Sequence, residues 1–199
     1  MLLHEFIEKF DHPGSVILLV GKRNVKAEDK EKLVLLGELI AKKTSHATFR
    51  SGNATGADEL FCSGAKRVDP SRVMMVLPSE SHRKKHRSDY TYISLDELSI
   101  LKEDAVVYEA RKHKTRGMLN YYLEGNRDGY TSKVALILRD AVKVLGHQDL
   151  SPATAAIVYN DTEKPDEGGT AFTVRVCRDN NVPVFEQDVW FHWLTETKS

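Results

Sequence analysis

The stretch Phe49-Arg-Ser-Gly-Asn-Ala-Thr-Gly-Ala-Asp-Glu-Leu-Phe61 decides how this chain folds. Phe49 closes an apolar strand pattern, Gly52 and Gly56 bracket a run of small residues, and Ala57, Leu60, Phe61 and Ala65 recur at helical spacing. The order is strand, tight turn, helix. Gly52 can take backbone angles closed to other residues, and Gly56 lets a ligand or a neighbouring backbone come close. Ser51, Asn53 and Thr55 place hydrogen-bonding groups in the turn. A helix begins with unpaired N–H groups and the positive end of its dipole, so such a turn makes an anion site, usually for phosphate. The spacing matches neither GxxxxGK[ST] nor GxGxxG. An ordinary strand-to-helix turn would read the same way.

Upstream, Val16-Ile-Leu-Leu-Val20 is an unbroken apolar run, the pattern of a parallel strand buried on both faces. It empties into Gly21-Lys22-Arg23-Asn24, a glycine and cations where open α/β sheets bind ligands. Residues 27–43 read as a helix. Ala47–Phe49, Arg72–Leu77, Ala153–Tyr159 and Val182–Phe185 read as further strands. Residues 96–112 read as one helix with Asp96 as its N-cap, and residues 115–122 as a short second helix. Residues 131–145 contain a strand-like Ala-Leu-Ile-Leu, but Val134, Ile137, Leu138, Ala141, Val142 and Leu145 keep helical spacing. Helix wins on length. Gly168-Gly169-Thr170 opens another helix, and the two tail tryptophans are expected to cover the sheet. Five or more strands alternating with helices imply an α/β, Rossmann-like, mainly parallel sheet with helices on both faces. One domain over residues 1–199 is expected, with an N-terminal helix in 1–14 and a helical insertion over 96–146 between strands.

Lysine plus arginine and aspartate plus glutamate are both 29, so the formal net charge is zero. That balance argues against a dedicated nucleic-acid binder while leaving room for a local basic patch, such as His82–Arg87. Cys62 and Cys177 lie in apolar helical patterns and read as reduced core residues. His82 and His86 share a helical face, but the neighbouring cations oppose a metal, and no metal is expected. The N-terminus has neither the apolar run nor the cleavage site of a signal peptide, and no stretch is long enough to span a membrane. The expected location is the cytoplasm.

In order along the chain, Val20-Gly-Lys-Arg23, Ser51-Gly-Asn-Ala-Thr-Gly-Ala-Asp58, Glu124-Gly-Asn-Arg127 and Gly168-Gly-Thr170 with Thr173 and Arg175 resemble the motifs of the SLOG superfamily. That group of Rossmann-like proteins includes DprA, the LOG phosphoribohydrolases, the molybdenum-cofactor carriers and the YpsA/YspA-type proteins. The resemblance spans roughly residues 15–187. The chain departs from the pattern at three places. Asn53 stands where many relatives have a small residue, and Gly125 replaces the first arginine of an arginine-asparagine-arginine stretch. Gly168-Gly-Thr170 lacks a second glycine-threonine step, and Arg175 lies near where the LOG enzymes carry an acid. The resemblance therefore implies ligand binding without licensing phosphoribohydrolase activity.

The leading expectation is a nucleotide or nucleotide-derived phosphate ligand. It would lie between the two glycine turns, against Gly21, Lys22, Arg23, Ser51, Gly52, Asn53, Thr55, Gly56, Asp58, Arg127, Gly168, Gly169 and Thr170. Asp58 is expected to cap its helix, with acceptance from a ribose hydroxyl as its other reading. No cofactor beyond that ligand is implied. The alternative is a nucleotide N-glycosidase or related hydrolase, whose carboxylate would come from Asp58, Glu124, Asp128 or Glu167. DprA-like single-stranded DNA binding ranks below both. Relatives of this fold commonly pair, so the resemblance also implies a homodimer.

Overall fold

A computed structural model describes residues 1–83, 91–100 and 104–196. The sheet has six strands, all parallel, in the order β4-β3-β2-β1-β5-β6. They are β1 (Val16–Gly21), β2 (Thr48–Ser51), β3 (Val73–Leu77), β4 (Thr91–Ser94), β5 (Ala155–Tyr159) and β6 (Val184–Phe185). The first four run outward to one side of β1, and the chain then crosses back to lay β5 on the other side. The reversal falls between β1 and β5, where Gly21 pairs with Tyr159. Loops leaving these two strands diverge, which opens a crevice at their C-terminal ends.

Helices cover both faces because β1 is apolar throughout. Ile17 and Leu19 point into one core, and Leu18 and Val20 into the other. The first core is roofed by α1 (Leu3–Phe10), α2 (Lys30–Lys43), α3 (Ala57–Val68) and α8 (Gln187–Glu196). Trp190 and Trp193 of α8 are fully buried there, and their indole N–H groups donate to the carbonyls of Val158 and Met1 at 3.0 Å. The tryptophans therefore cover the sheet as their sequence suggests. The second core lies under α4 (Asp104–Arg111), α5 (Arg116–Leu123), α6 (Ser132–Leu145) and α7 (Gly168–Asp179).

The expected helix over 96–112 is not continuous. Thr91–Ser94 is a strand, Leu95–Glu97 is a single 3-10 turn, and the described α-helix spans Asp104–Arg111. Asp96 caps nothing. The Ser94 hydroxyl accepts from the Asp96 N–H, and the Asp96 carboxylate accepts from the Glu80 N–H. The strand escapes a periodicity argument because it is four residues long and mostly exposed at the sheet edge. Likewise the first turn of the 27–43 helix is 3-10, over Ala27–Asp29.

Helices α2 and α3 approach almost backbone to backbone. A Cβ on Gly37 would stand 2.0 Å from the Phe61 carbonyl oxygen, and one on Gly64 would stand 1.9 Å from that of Val34. The two bare positions set how closely α3 sits on the sheet, and hence where its first turn points. Gly64→Ala gains about 1 kcal/mol of helix propensity yet forces the helices apart. We expect a net loss of roughly 2 kcal/mol in urea unfolding; wild-type stability in this variant would contradict the close packing.

Candidate functional site

A cavity of about 550 Å³ opens at the C-terminal edge of the sheet, above the reversal between β1 and β5. It is lined by Val20–Asn24 after β1, by Ala54 and Asp58 of the β2–α3 connection, and by Asn160 and Asp161 after β5. Gly168, Gly169 and Thr170 at the head of α7 complete one wall, and residues of α6 form the floor. The two glycine turns both approach α6, although α3 and α7 pack on opposite faces of the sheet. Gly52 touches Arg139 and Gly169 touches Asp140, which are neighbours on α6.

The turns that adjoin the two helix heads differ in what they leave open. At α3 the amides of the adjoining turns are already used. The Asp58 carboxylate accepts from the Gly21 N–H at 3.0 Å and from the Gly52 N–H at 3.2 Å, while the Ala57 N–H donates to the Lys22 carbonyl at 3.1 Å. Asp58 therefore ties the ends of β1 and β2 to the first turn of α3, and each of its oxygens holds a backbone amide. It makes no cap contact with its own helix. Gly56, at φ +86°, would carry its Cβ 2.1 Å from the Arg23 carbonyl oxygen, so the close approach that it permits is that of the β1–α2 loop. The Ser51 hydroxyl donates to the Leu19 carbonyl at 2.6 Å. Asn53, with φ +54°, is buried, and its carbonyl accepts from Arg83 at 2.8 Å. Thr55 is exposed and outside the cavity.

At α7 the heads of the helix remain open. Among the described residues the amides of Gly168, Gly169 and Thr170 make no hydrogen bond, and no side chain caps the helix. A Cβ on Gly168 would meet nothing within 4 Å, so this end faces the open cavity.

The floor is charged. Arg139 and Lys143 flank Asp140, with Arg139 Nε and Lys143 Nζ each 2.9 Å from Asp140 Oδ1. The Arg139 guanidinium also donates to the Gly52 carbonyl, which joins α6 to the β2 turn. Below them Arg50 donates to the carbonyls of Lys143 and Ser151 at 3.1 and 2.8 Å, and burial draws its pKa down to about 10. Altogether seven cationic side chains line the cavity against four carboxylates. Each carboxylate has partners: Asp58 holds amides, Asp140 holds Arg139 and Lys143, Asp161 pairs with Lys22 at 3.2 Å, and Glu167 pairs with Lys164 at 3.7 Å. Arg23, Lys114 and Lys133 have no carboxylate partner among the described residues. The surplus is positive, and it lines the cavity that the open end of α7 also lines.

His113 also lines the cavity. Burial, then the charges of Arg175 and Lys114, lower its pKa from the ordinary 6.5 against a smaller opposing pull from Asp140. Its Nδ1 accepts the Thr115 N–H at 3.2 Å, so the neutral ring carries its proton on Nε2. A folded-state value below the unfolded one means that protonating His113 costs stability as pH falls below 6.5.

The remaining sequence candidates lie elsewhere. Arg127 stacks its guanidinium 3.7 Å from the Tyr122 ring centroid and donates to the Tyr122 carbonyl at 2.6 Å, away from the cavity. Glu124 and Asp128 are also absent from the lining, and Asp128 accepts the Thr131 N–H at the start of α6. Lys84–Arg87 of the basic run lie outside the described residues, while Arg83 is held by Asn53 and by Glu59 at 3.6 Å. Both cysteines are buried thiols pushed up by burial to about 12, which suits core residues. Sequence reasoning missed Arg139, Asp140, Lys143, Lys133 and His113. The available signal was the breadth of the apolar arc of α6, which leaves no solvent face for Arg139, Asp140 and Lys143.

No protein-family model matches the sequence, and no curated protein matches it. Among solved structures, DNA processing protein A from Helicobacter pylori, described for its single-stranded DNA binding mode, aligns at a TM-score of 0.43 with 14% identity. The alignment covers 87% of this chain but 65% of that one, so this chain spans less than two thirds of its length. Likeness at this level bears on neither family nor ligand. No helix among the described residues is long and apolar enough to cross a membrane.

Replacing Asp58 by Asn turns one acceptor into a donor facing an amide N–H. Asp58→Asn is expected to lose about 1–3 kcal/mol in chemical denaturation; unchanged stability would show that the carboxylate is not the tie between the strand ends.

Proposed function

We propose that this protein binds a small phosphate-bearing ligand of the nucleotide class in the cavity between β1, β5 and the head of α7. The observation that carries the reading is the open N-terminus of α7 set against a cavity whose cations outnumber its carboxylates and whose carboxylates are already engaged. Backbone amides and the helix dipole favour a phosphate group there, and lysine and arginine side chains add charge-assisted contacts. A volume near 550 Å³ suits a mononucleotide or a somewhat larger ligand. Within this reading, Gly168, Gly169 and Thr170 hold the phosphate, and Lys22, Arg23 and Lys133 surround it. Gly21, Gly52, Gly56 and Asp58 shape the site without touching the ligand. The SLOG resemblance of the motifs agrees with this reading, as does the Rossmann-like sheet that presents the crevice.

Binding is better supported than cleavage. A glycosidic hydrolase needs a carboxylate at the sugar. Of the carboxylates the sequence offers for that part, Asp58 has both oxygens on amides, Glu124 and Asp128 lie outside the cavity, and Glu167 is exposed on its rim beside Lys164. Asp161 pairs with Lys22, and Asp140 carries Arg139 and Lys143 on one oxygen, which suits it to accept a hydrogen bond rather than to attack.

Calorimetric titration of AMP, ADP-ribose and NAD tests the reading. At least one should bind, with affinity falling as salt rises and falling about tenfold in Arg23→Ala/Lys133→Ala. NMR should show the His113 pKa rising on binding, because an anion beside the ring favours the charged form. Failure of all three ligands to bind folded protein would overturn the proposal.

A further inference from the structure

The floor of the cavity holds a carboxylate oxygen that the fold does not use. Asp140 is 3% exposed, and both of its ion pairs fall on Oδ1. Among the described residues no hydrogen bond reaches either oxygen, and no ion pair falls on Oδ2. That oxygen lies against the head of α7, 3.2 Å from where a Cβ on Gly169 would stand, and Asp140 lines the cavity. A buried carboxylate with one spare oxygen is an unusual thing to leave beside an anion site. An ionised carboxylate can only accept, so what suits it is a donor.

We infer that Asp140 Oδ2 accepts a hydrogen bond from a sugar hydroxyl of the ligand, and that the site selects ribose phosphates over deoxygenated ones. The inference rests on the phosphate reading of the α7 head given above. Position fixes which part of a nucleotide meets Asp140. Oδ2 borders Gly169, so a group touching it lies within a few ångströms of a phosphate seated on the Gly168–Thr170 amides. In a nucleotide the donors that close to the phosphate are ribose hydroxyls, whereas the amino groups of the base are farther away. Arg139 and Lys143 on Oδ1 have a double part. They offset the charge that would otherwise repel the phosphate, and as ion pairs without hydrogen bonds they draw Oδ1 toward themselves and leave Oδ2 on the cavity side. Asp140 would thus set specificity; it performs no chemistry in this account.

The discriminating experiment compares AMP with 2′,3′-dideoxy-AMP, which share base and charge, with inorganic phosphate as competitor. Wild-type protein should bind AMP about tenfold or more tightly than the dideoxy compound, the usual effect of losing a hydrogen bond to a charged group. Asp140→Asn, checked for folding by its melting transition, should reduce that preference to less than about threefold. It should also bind inorganic phosphate no more weakly than wild type, because a negative charge has been removed. The wild-type comparison decides the matter even if the variant does not fold. Equal binding of AMP and dideoxy-AMP, with phosphate competing for both, overturns the role of Asp140 and leaves the phosphate reading standing. Absence of binding by AMP, dideoxy-AMP and phosphate alike overturns both.

Discussion

The Asp58 carboxylate between two backbone amides is the constraint on which the site depends. Gly21 ends β1 and Gly52 follows β2, and each must turn sharply away at the C-terminal edge of the sheet. A buried amide without a partner costs about as much as a lost hydrogen bond. Asp58 supplies both partners from the first turn of α3. Once it does so, the position of α3 follows, and Ala57 completes the tie through the Lys22 carbonyl. The helix can come that close because Gly37 and Gly64 let α2 and α3 pack without intervening side chains. The glycine turn that dominates the sequence is therefore mainly an architectural joint.

A second tie crosses the sheet edge. Arg139 reaches from α6 to the Gly52 carbonyl, and Arg50 reaches from β2 to the last carbonyls of α6. These contacts hold a helix from the opposite face under the β2 turn. They also bring a buried cluster of Arg139, Asp140 and Lys143 to the bottom of the crevice. Burying three charges is costly unless each is paired. Here two cations share one carboxylate oxygen, which leaves a positive surplus and one acceptor facing the cavity.

Much of the frame was legible in the sequence because burial there follows simple periods. The continuous apolar run of β1, the spacing of α6 and the paired glycines of α7 each pointed to the right element at about the right place. That both glycine turns lie at the C-terminal edge of the sheet also follows from parallel β-strand topology. What failed to show was of two kinds. Thr91–Ser94 is too short and too exposed to leave a pattern and drew no reading, while the helix read over 96–112 is a 3-10 turn at Leu95–Glu97 and an α-helix over Asp104–Arg111 among the described residues. The charges of α6 were hidden because periodicity records apolar positions and says nothing of polar residues on a helix covered by α4, α5 and α7. Motif reasoning also overvalued Asp58 and Arg127, whose partners are backbone groups that no spacing rule reveals.

The central claim is that the head of α7 receives the anion, while the Gly21 and Gly52 amides beside the head of α3 are already held by Asp58. Amide chemical shifts followed during a phosphate titration of isotopically labelled protein test it directly. The account predicts large, saturable shifts at Gly168, Gly169 and Thr170, with Gly21 and Gly52 nearly unmoved. Shifts centred on Gly21 and Gly52, or no saturable shift at any of the five, would contradict it.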